Sequence, residues 1–213
     1  MPVAPRRNGT TSAGSVPSPG DRARRLAESV EIVARLLRGE TVEAAGRHLS
    51  ANGAALTGLP VGAGRVALVV GGGHPDILAV AAARADVVGL SGLGRTLPDG
   101  HHHEARWSEQ HLRNQLRLVH TEAVRSGNSP AVEILVQQVV RTDDRAAVLD
   151  DLRARLPSAS TEELSTTPYV LVGTAEEMAA QLGRQADLFG LTRYVIREAA
   201  IDQIEPALAL LRQ

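Results

Sequence analysis

The stretch Val66-Ala-Leu-Val-Val-Gly-Gly-Gly-His-Pro-Asp76 decides how the rest of this chain is read. An apolar run, Val66–Val70, leads straight into three glycines, and Pro75 stands where a helix should begin. Proline suits the first helical position because the N–H it lacks would have no intrahelical partner there. A strand, a glycine turn and a helix N-terminus together make an anion site. Backbone N–H groups without side chains approach a phosphate closely, and the helix dipole favours negative charge. Gly71, Gly72, Gly73 and His74 are therefore the candidate phosphate-binding residues, and Gly72→Val is the expected way to block them. Two facts oppose this reading. Glycine-rich turns are common as plain strand-to-helix connections, and the Asp76 carboxylate suits the helix end but repels a phosphate. On that second reading Asp76 serves the helix and no ligand binds.

Outward from this stretch the pattern is regular. Pro75–Arg84 reads as an Ala-rich helix and Asp86–Leu90 as a second strand. Ser91–His103, with its Gly and Pro, is predicted as a loop. A long helix follows over about 104–125, with Leu112, Leu116, Val119 and Ala123 on one face, and Gly127-Asn128 ends it. Val132–Val140 is a third strand, and Asp143-Asp144 suit the N-terminus of the next helix. Residues 157–168 hold a short helical turn and a loop, and Tyr169–Val172 a brief extended segment. Thr174-Ala-Glu-Glu177 is a capping-box signature for a helix ending near Gly190. Tyr194–Arg197 is the last strand and Ile204–Leu211 the last helix.

Before the glycine stretch, residues 1–20 are rich in Pro, Gly, Ser and Thr and are predicted to be disordered, leaving 21–213 as one domain. A helix over about 22–38 carries Leu26, Val30, Val33 and Leu37 on one face and stops at Gly39. Residues 40–64 read as an irregular excursion that suits a small hairpin. Strands alternating with helices predict βαβ units and a parallel sheet, and near-continuous apolar strands predict cover on both faces. About four such units are visible, where a closed barrel has eight. The pattern alone leaves open a small open α/β sheet and part of a barrel.

Composition narrows the function classes. The chain has 213 residues, a formal net charge of −1 and no cysteine. A near-neutral balance gives no electrostatic reason to bind nucleic acid or an anionic membrane. With one Trp and one Phe there is no aromatic platform for single strands. Disulfides, thiolate metal sites and cysteine nucleophiles are excluded. No apolar run reaches the ~20 residues that span a bilayer, and a cytoplasmic protein is the expectation.

Several stretches in register resemble the C-terminal part of the luciferase-like (LLM class) oxidoreductases, in particular the actinobacterial-type members that depend on the deazaflavin coenzyme F420. They are Arg22-Ala-Arg-Arg-Leu-Ala-Glu-Ser-Val30 leading to Leu36-Leu-Arg-Gly39, Leu68-Val-Val-Gly-Gly-Gly73, and Ala81-Ala-Ala-Arg-Ala-Asp-Val-Val-Gly89. Tyr169-Val-Leu-Val-Gly-Thr-Ala-Glu-Glu177 and Leu188-Phe-Gly-Leu-Thr-Arg-Tyr194 complete the set. The resemblance implies an α/β fold, a partial TIM-like (β/α) barrel comprising about the last four βα units. Val66–Val70, Asp86–Leu90, Val132–Val140 and Tyr194–Arg197 would be its strands five to eight. It implies an oxidoreductase that transfers hydride with F420, or alternatively FMN, to a small-molecule substrate. It also implies that the loop at Gly71–His74 helps hold the cofactor phosphate.

Strands one to four, which in the family supply much of the flavin-ring face and the substrate pocket, have no counterpart here. The expectation is thus a truncated enzyme, inactive alone, or a half-barrel that pairs with another chain as a homo-oligomer. The alternatives are a non-catalytic remnant or partner subunit and, outside the family, a small phosphate-binding α/β module.

Other candidates are weaker. His101-His-His103-Glu104 has metal-ligand chemistry, but adjacent residues rarely converge on one ion, and a solvated loop is the expectation; no metal is assigned. Glu133 and Gln137, four apart on one predicted strand, share a face and need partners if buried. Either Gln137 touches a cofactor or an Arg or backbone group satisfies it. Ser91, just past the second strand, lies where a site residue would. No nucleophile–base pair stands out, as expected where a cofactor carries the hydride chemistry.

Overall fold

The structure, a computed structural model, describes residues 19–58, 66–97, 103–156 and 159–212. In chain order the elements are α1 (Pro19–Leu37), β1 (Val42–Ala45), β2 (Ser50–Ala54), β3 (Val69–Gly71), α2 (Pro75–Arg84), β4 (Val87–Leu90), β5 (Leu93–Thr96), β6 (His103–Ala105) and α3 (Glu109–Ser126). There follow β7 (Ala131–Leu135), β8 (Gln138–Arg141), α4 (Arg145–Arg155), α5 (Thr161–Thr166), β9 (Val170–Gly173), α6 (Ala175–Phe189), β10 (Tyr194–Val195) and α7 (Ile201–Leu210). Four strands make one parallel sheet in the order β10-β7-β4-β3. Its register pairs Val70 with Val88, Leu90 with Ile134 and Leu135 with Val195.

The sheet has one covered face. Val70, Val88, Leu90 and Ile134 are buried on it, beneath Leu78, Ala81 and Ala82 of α2 and Leu112 and Val119 of α3. Each fully buried leucine or isoleucine stabilises the fold by roughly 1.5–3 kcal/mol. Alanines at 81, 82 and 85, all at most 1 % exposed, give this helix–sheet interface little side-chain depth. Asn128 closes it from the side by donating from Nδ2 to the last carbonyls of α2, at Ala82 (2.9 Å) and Ala85 (2.8 Å). A second apolar cluster gathers Val136, Leu171, Met178, Leu182 and Ile204 where β8, β9, α6 and α7 meet.

The helix-end signals in the sequence are realised. Pro75 occupies the start of α2. Asp144 Oδ1 accepts from Ala147 N (3.0 Å), and Thr174 with Glu177 forms the expected capping box. Gly127 and Gly190 close α3 and α6 at φ 70° and 67°, where a side chain would be strained. The excursion after α1 contains the antiparallel hairpin β1–β2.

Several boundaries differ from the sequence reading, the last strand stopping at Val195 and the last helix starting at Ile201 among them. Disorder at 1–20 falls outside the described residues up to 18, but Pro19 and Gly20 already belong to α1. The first strand of the sheet begins at Val69 rather than Val66. Leu68 N donates to Asp86 Oδ2 (2.8 Å), and its carbonyl accepts from Asp86 N and Val87 N, which tie off the strand entry. Ser91–His103 is not all loop, since β5 and β6 pair there as an antiparallel ribbon; the helix expected from 104 starts at Glu109, after the Ser108 cap. The strand expected at Val132–Val140 is two strands. β7 pairs with β4 and β10, whereas β8 pairs with β9. The break comes where Gln137 N and Gln138 N both donate to Tyr169 O (2.8 and 3.3 Å), drawing the chain toward β9.

The β1–β2 hairpin is held to α1 by the Glu28 carboxylate, with Arg35 Nη1 also donating to Glu43 O (3.4 Å). Glu28 accepts from the backbone N–H groups of Arg47 (3.1 Å), His48 (2.8 Å) and Leu49 (2.7 Å). Desolvation pushes this carboxyl up, but the three N–H donors outweigh it and hold the group below its ordinary value of 4.5. A carboxyl with a depressed folded pKa contributes stability that is complete above its unfolded value and fades as pH falls through the folded one. The amide shifts of residues 47–49 are therefore expected to titrate together with a midpoint below 4.5. Glu28→Gln should abolish that titration; a midpoint at or above the ordinary value would contradict the clamp.

The opposite face of the sheet carries Val69 at 52 % and Val195 at 41 % exposure. Such a face binds hydrophobic probes. At dilutions where sedimentation shows a single chain, the protein is expected to brighten an anilinonaphthalene dye, and Val69→Lys with Val195→Lys to dim it. A single chain that leaves the dye dark would contradict an exposed apolar face.

Candidate functional site

β3 alternates as a strand must, with Val70 toward the helices and Val69 and Gly71 toward the open face. Gly71 pairs in register with Gly89 of β4, and Gly89 with Glu133 of β7. The open face therefore carries a row of two side-chain-free positions ending in a carboxylate. Around this row Val69, Leu90, Ser91, Leu135 and Val195 line a concavity of about 360 Å³ at the C-terminal ends of the strands. A methyl group at Gly89 would make only ordinary contacts, at 3.5 Å from Gly71 Cα and 3.7 Å from Glu133 Oε1, so what its absence leaves free is space above the sheet. A groove of about 310 Å³, lined by Leu26, Val30 and Val33 of α1, continues from the concavity across Val69 and Gly71.

Among the described residues, Glu133 is the one ionisable side chain lining the concavity. Its side chain is 18 % exposed, and Arg193 Nη2 lies 4.0 Å from its Oε2. Gln137, read from sequence as sharing its face, sits instead in the bend between β7 and β8. There Nε2 donates to Ser91 O (2.8 Å) and Oε1 accepts from Arg197 (3.0 Å), while Arg197 also donates to Gln137 O (3.0 Å). An Arg and a backbone group thus satisfy Gln137, and its role is to pin the end of β7 to the end of β4. Ser91 lines the concavity as its position suggested.

The glycine turn opens beside this concavity, with Gly71 and Gly72 on its wall. None of Gly71, Gly72 and Gly73 has a positive φ, so space and not dihedral freedom demands glycine. A Cβ on Gly72 would run into the side chain of Ile77, and one on Gly73 would lie 2.7 Å from Leu93 O. Gly72→Val would therefore disturb the packing of the turn on its own helix, and is not the clean block that the sequence suggested. His74 rather than Asp76 serves the helix end. Its Nδ1 accepts from Asp76 N (3.2 Å), with the Asp76 carboxylate 3.8 Å away. Of the donors at this helix start, Pro75 supplies none, Asp76 N is taken by His74, and Leu78 N bonds to His74 O (3.0 Å).

The remaining sequence candidates stay apart from the concavity. His101 and His102 lie outside the described residues. His103 is exposed on β6, and the Glu104 carboxylate is held by Arg106 at 3.1 Å. Among the described residues no group of three or more His, Asp or Glu could hold a metal, and no helix is long and apolar enough to cross a membrane. Gly89, Leu135 and Val195 were not singled out from the sequence as site residues. Only Gly89 left a signal there, because a glycine inside an apolar strand marks a close approach to the backbone.

Comparison with known proteins agrees with this architecture. The family model described as luciferase-like monooxygenase matches residues 5–193. No curated protein sequence matches the chain. Among solved structures, an F420-dependent secondary alcohol dehydrogenase in complex with an F420-acetone adduct is similar at 16 % identity and a TM-score of 0.67. The match covers 94 % of this chain and 65 % of that one. EDTA monooxygenase EmoA from Chelativorans sp. BNC1 is similar at 16 % identity and TM-score 0.63, over 92 % of this chain and 61 % of its own. The long-chain alkane monooxygenase LadA is similar at 13 % identity and TM-score 0.62, over 94 % and 58 % respectively. At such identities the likeness is one of fold, and the chain spans from 58 to 65 % of these relatives. The sheet with its single helical layer is part of a TIM-like barrel, its open concavity is what a closed barrel holds inside, and the chain belongs to the luciferase-like monooxygenase family.

Proposed function

We propose that the concavity takes a deazaflavin or flavin ring and that the chain serves an oxidoreductase of the luciferase-like class, acting on a small molecule. The observation that carries this is the paired Gly71 and Gly89, two adjacent side-chain-free positions that end at the Glu133 carboxylate and leave room for a flat ring. F420 is the cofactor of first choice and FMN the alternative. When bound, such a cofactor accepts or donates hydride, which is chemistry that no side chain of this chain supplies. The chain's own residues position and shield. Val69, Leu135 and Val195 give the ring an apolar surround. Glu133, with Arg193 at 4.0 Å, is placed to accept or return a proton at its carboxylate on the concave side. Gly71, Gly72, Gly73 and His74, at the edge of the same concavity, are the proposed seat of the cofactor phosphate. With Pro75 and the His74 cap reducing the donors there, binding by this turn should be weak.

Exclusion of water from the ring needs a cover for the open face. Within the same reading a second copy of the chain provides it, and a cytoplasmic setting goes with it. A second reading is favoured by that same open face: a non-catalytic remnant or partner subunit that keeps the fold without the chemistry.

Fluorescence titration with F420 and with FMN tests the proposal. F420 is expected to bind with modest affinity and FMN more weakly. Gly89→Val, which fills the floor with ordinary contacts, should weaken binding at least tenfold while the far-UV circular dichroism stays unchanged. Binding that ignores Gly89→Val would remove the concavity from consideration, and no binding of either cofactor would leave the non-catalytic reading. Sedimentation of the purified chain should show a species larger than a monomer; a clean monomer would overturn the second-copy cover.

A further inference from the structure

Among the described residues no strand pairs beyond β3 on one side of the parallel sheet or beyond β10 on the other. On β3, Leu68 O and Gly72 N bond to β4, so alternation turns the N–H and C=O of Val69 and Gly71 outward. On β10, Arg193 O and Val195 O accept from β7, which turns the N–H and C=O of Tyr194 and Ile196 outward. An uncovered edge of this kind invites another strand. Beside β3 the edge is also apolar. Leu26, Val30 and Val33 of α1 line a groove of about 310 Å³ with Val69 and Val70, and none of its described lining residues is ionisable. The end of α1, at Leu37 and Arg38, lies with Val66 and Leu68, so the helix runs antiparallel to β3 and its first turns stand at the Gly71 end.

Closure satisfies both edges at once. A closed parallel barrel has eight strands, and one chain supplies four in one sheet. A two-fold axis along the barrel sets β3 of each copy beside β10 of the other, with strands parallel, helices outside and no edge left over. Barrel geometry also fixes the register. Within one chain the pairing line through Val69 passes Val87 and Ala131 and reaches Leu191, just short of Tyr194, which pairs with Ile134. A shear of about eight residues over the whole barrel shifts that line by about four per copy, from Leu191 to Val195. Val69 thus comes opposite Val195 of the second copy, two inward valines that stand 52 % and 41 % exposed in the single chain. In this register Val69 N meets the second copy's Tyr194 O and Gly71 N its Ile196 O, so free donors face free acceptors. Without the shift β3 would lie beside Leu191–Arg193, short of the strand. Charge favours the same pairing. Arg25, on the groove side of α1 one turn before Ser29, is exposed and has no ion-pair partner among the described residues. Glu198, just beyond β10, is likewise exposed and unpaired, and closure brings the two together at each joint.

We propose that two copies of this chain close one parallel barrel, β3 of each paired with β10 of the other and Arg25 of each set against Glu198 of the other. The proposal rests on the second-copy cover of the open face and is independent of the cofactor. The chain has no cysteine, so engineered cross-links read the register directly. Adjacent strands lie about 4.8 Å apart, within the reach of a disulfide. A mixture of Val69→Cys and Val195→Cys chains is expected to form a covalent dimer under mild oxidation. Neither variant alone should do so, because like positions lie across the barrel from each other. In sedimentation without cofactor, Arg25→Glu and Glu198→Arg should each weaken the dimer at least fivefold, and both reversals in one chain should restore it. Self-linking of Val69→Cys chains would overturn the closed barrel in favour of an extended sheet joined at β3. A dimer that gives no cross-link in the mixture, or that the combined reversal does not restore, would overturn the barrel and leave the cover to another arrangement of two copies. A monomer at every concentration would overturn barrel and cover together, whatever the F420 and FMN titrations show.

Discussion

Every strand of a parallel sheet presents two faces, and both carry apolar side chains that water should not reach. Here α2 and α3 cover one face, where Val88 and Ile134 are fully buried, and no described element covers the other, where Val69 and Val195 stand exposed. That asymmetry organises the molecule. It places the interior layer of a barrel on the surface, so that the concavity at the strand ends becomes a broad open floor. The related enzymes are longer than this chain, which matches 61 to 65 % of their length. A ring bound on this floor would touch protein on one side only. Affinity and exclusion of water then depend on what meets the second face.

Glycine does two different jobs within a few residues. At Gly89 the missing side chain empties the floor of the concavity, since a Cβ there would lie no closer than 3.5 Å to its neighbours, whereas one on Gly71 would press on Gly89 O at 3.3 Å. At Gly72 and Gly73 the missing side chain is needed by the fold itself, because Ile77 and the Leu93 carbonyl occupy the space. A glycine run is therefore compatible with an anion cradle without being evidence for one. The structural need for two of its three members is met by packing alone. His74 shows the same economy, since the ring nearest the turn spends its acceptor nitrogen on the helix end.

The rim of the concavity is positioned by bonds between residues far apart in sequence. Gln137 bonds to Ser91 O, Arg197 to the Gln137 carbonyl and amide, and the Gln137 and Gln138 N–H groups to Tyr169 O. These bonds join the ends of β4, β7 and β10 and bend the chain after Leu135 so that β8 leaves the sheet and pairs with β9. Behind them Trp107 stacks on Tyr169 at 6.3 Å, and Gly92 at φ 65° has no room for a Cβ beside either ring. Burial pushes the Tyr169 hydroxyl far above its ordinary range, so it stays protonated and serves as packing. Local side chains could be exchanged for others of like size. The bend needs all of these partners at once.

What could be read from the sequence was local. Helix ends at Pro75, Gly127, Thr174 and Gly190 were legible because capping depends on a residue and its neighbours within one turn. Apolar runs and helical spacing announced the alternation of strands and helices, hence the parallel sheet, and several stretches in register announced the family. Tertiary structure alone decided the rest. The single predicted strand at Val132–Val140 splits because Tyr169, more than thirty residues on, offers a carbonyl at its middle. Gly71, Gly89 and Glu133 form one row because parallel register aligns them, although they come from three separate strands. Gln137 leaves the face of Glu133 because its hydrogen bonds lie on β4 and β10, not on its own strand. The Thr167 hydroxyl and the Gln185 side-chain oxygen, both buried, have no hydrogen-bond partner among the described residues, which only the packed structure reveals. Periodicity reports which side of an element is apolar; which element it will face, and which polar atom will be left without a partner there, follows from long-range pairing that no local pattern encodes.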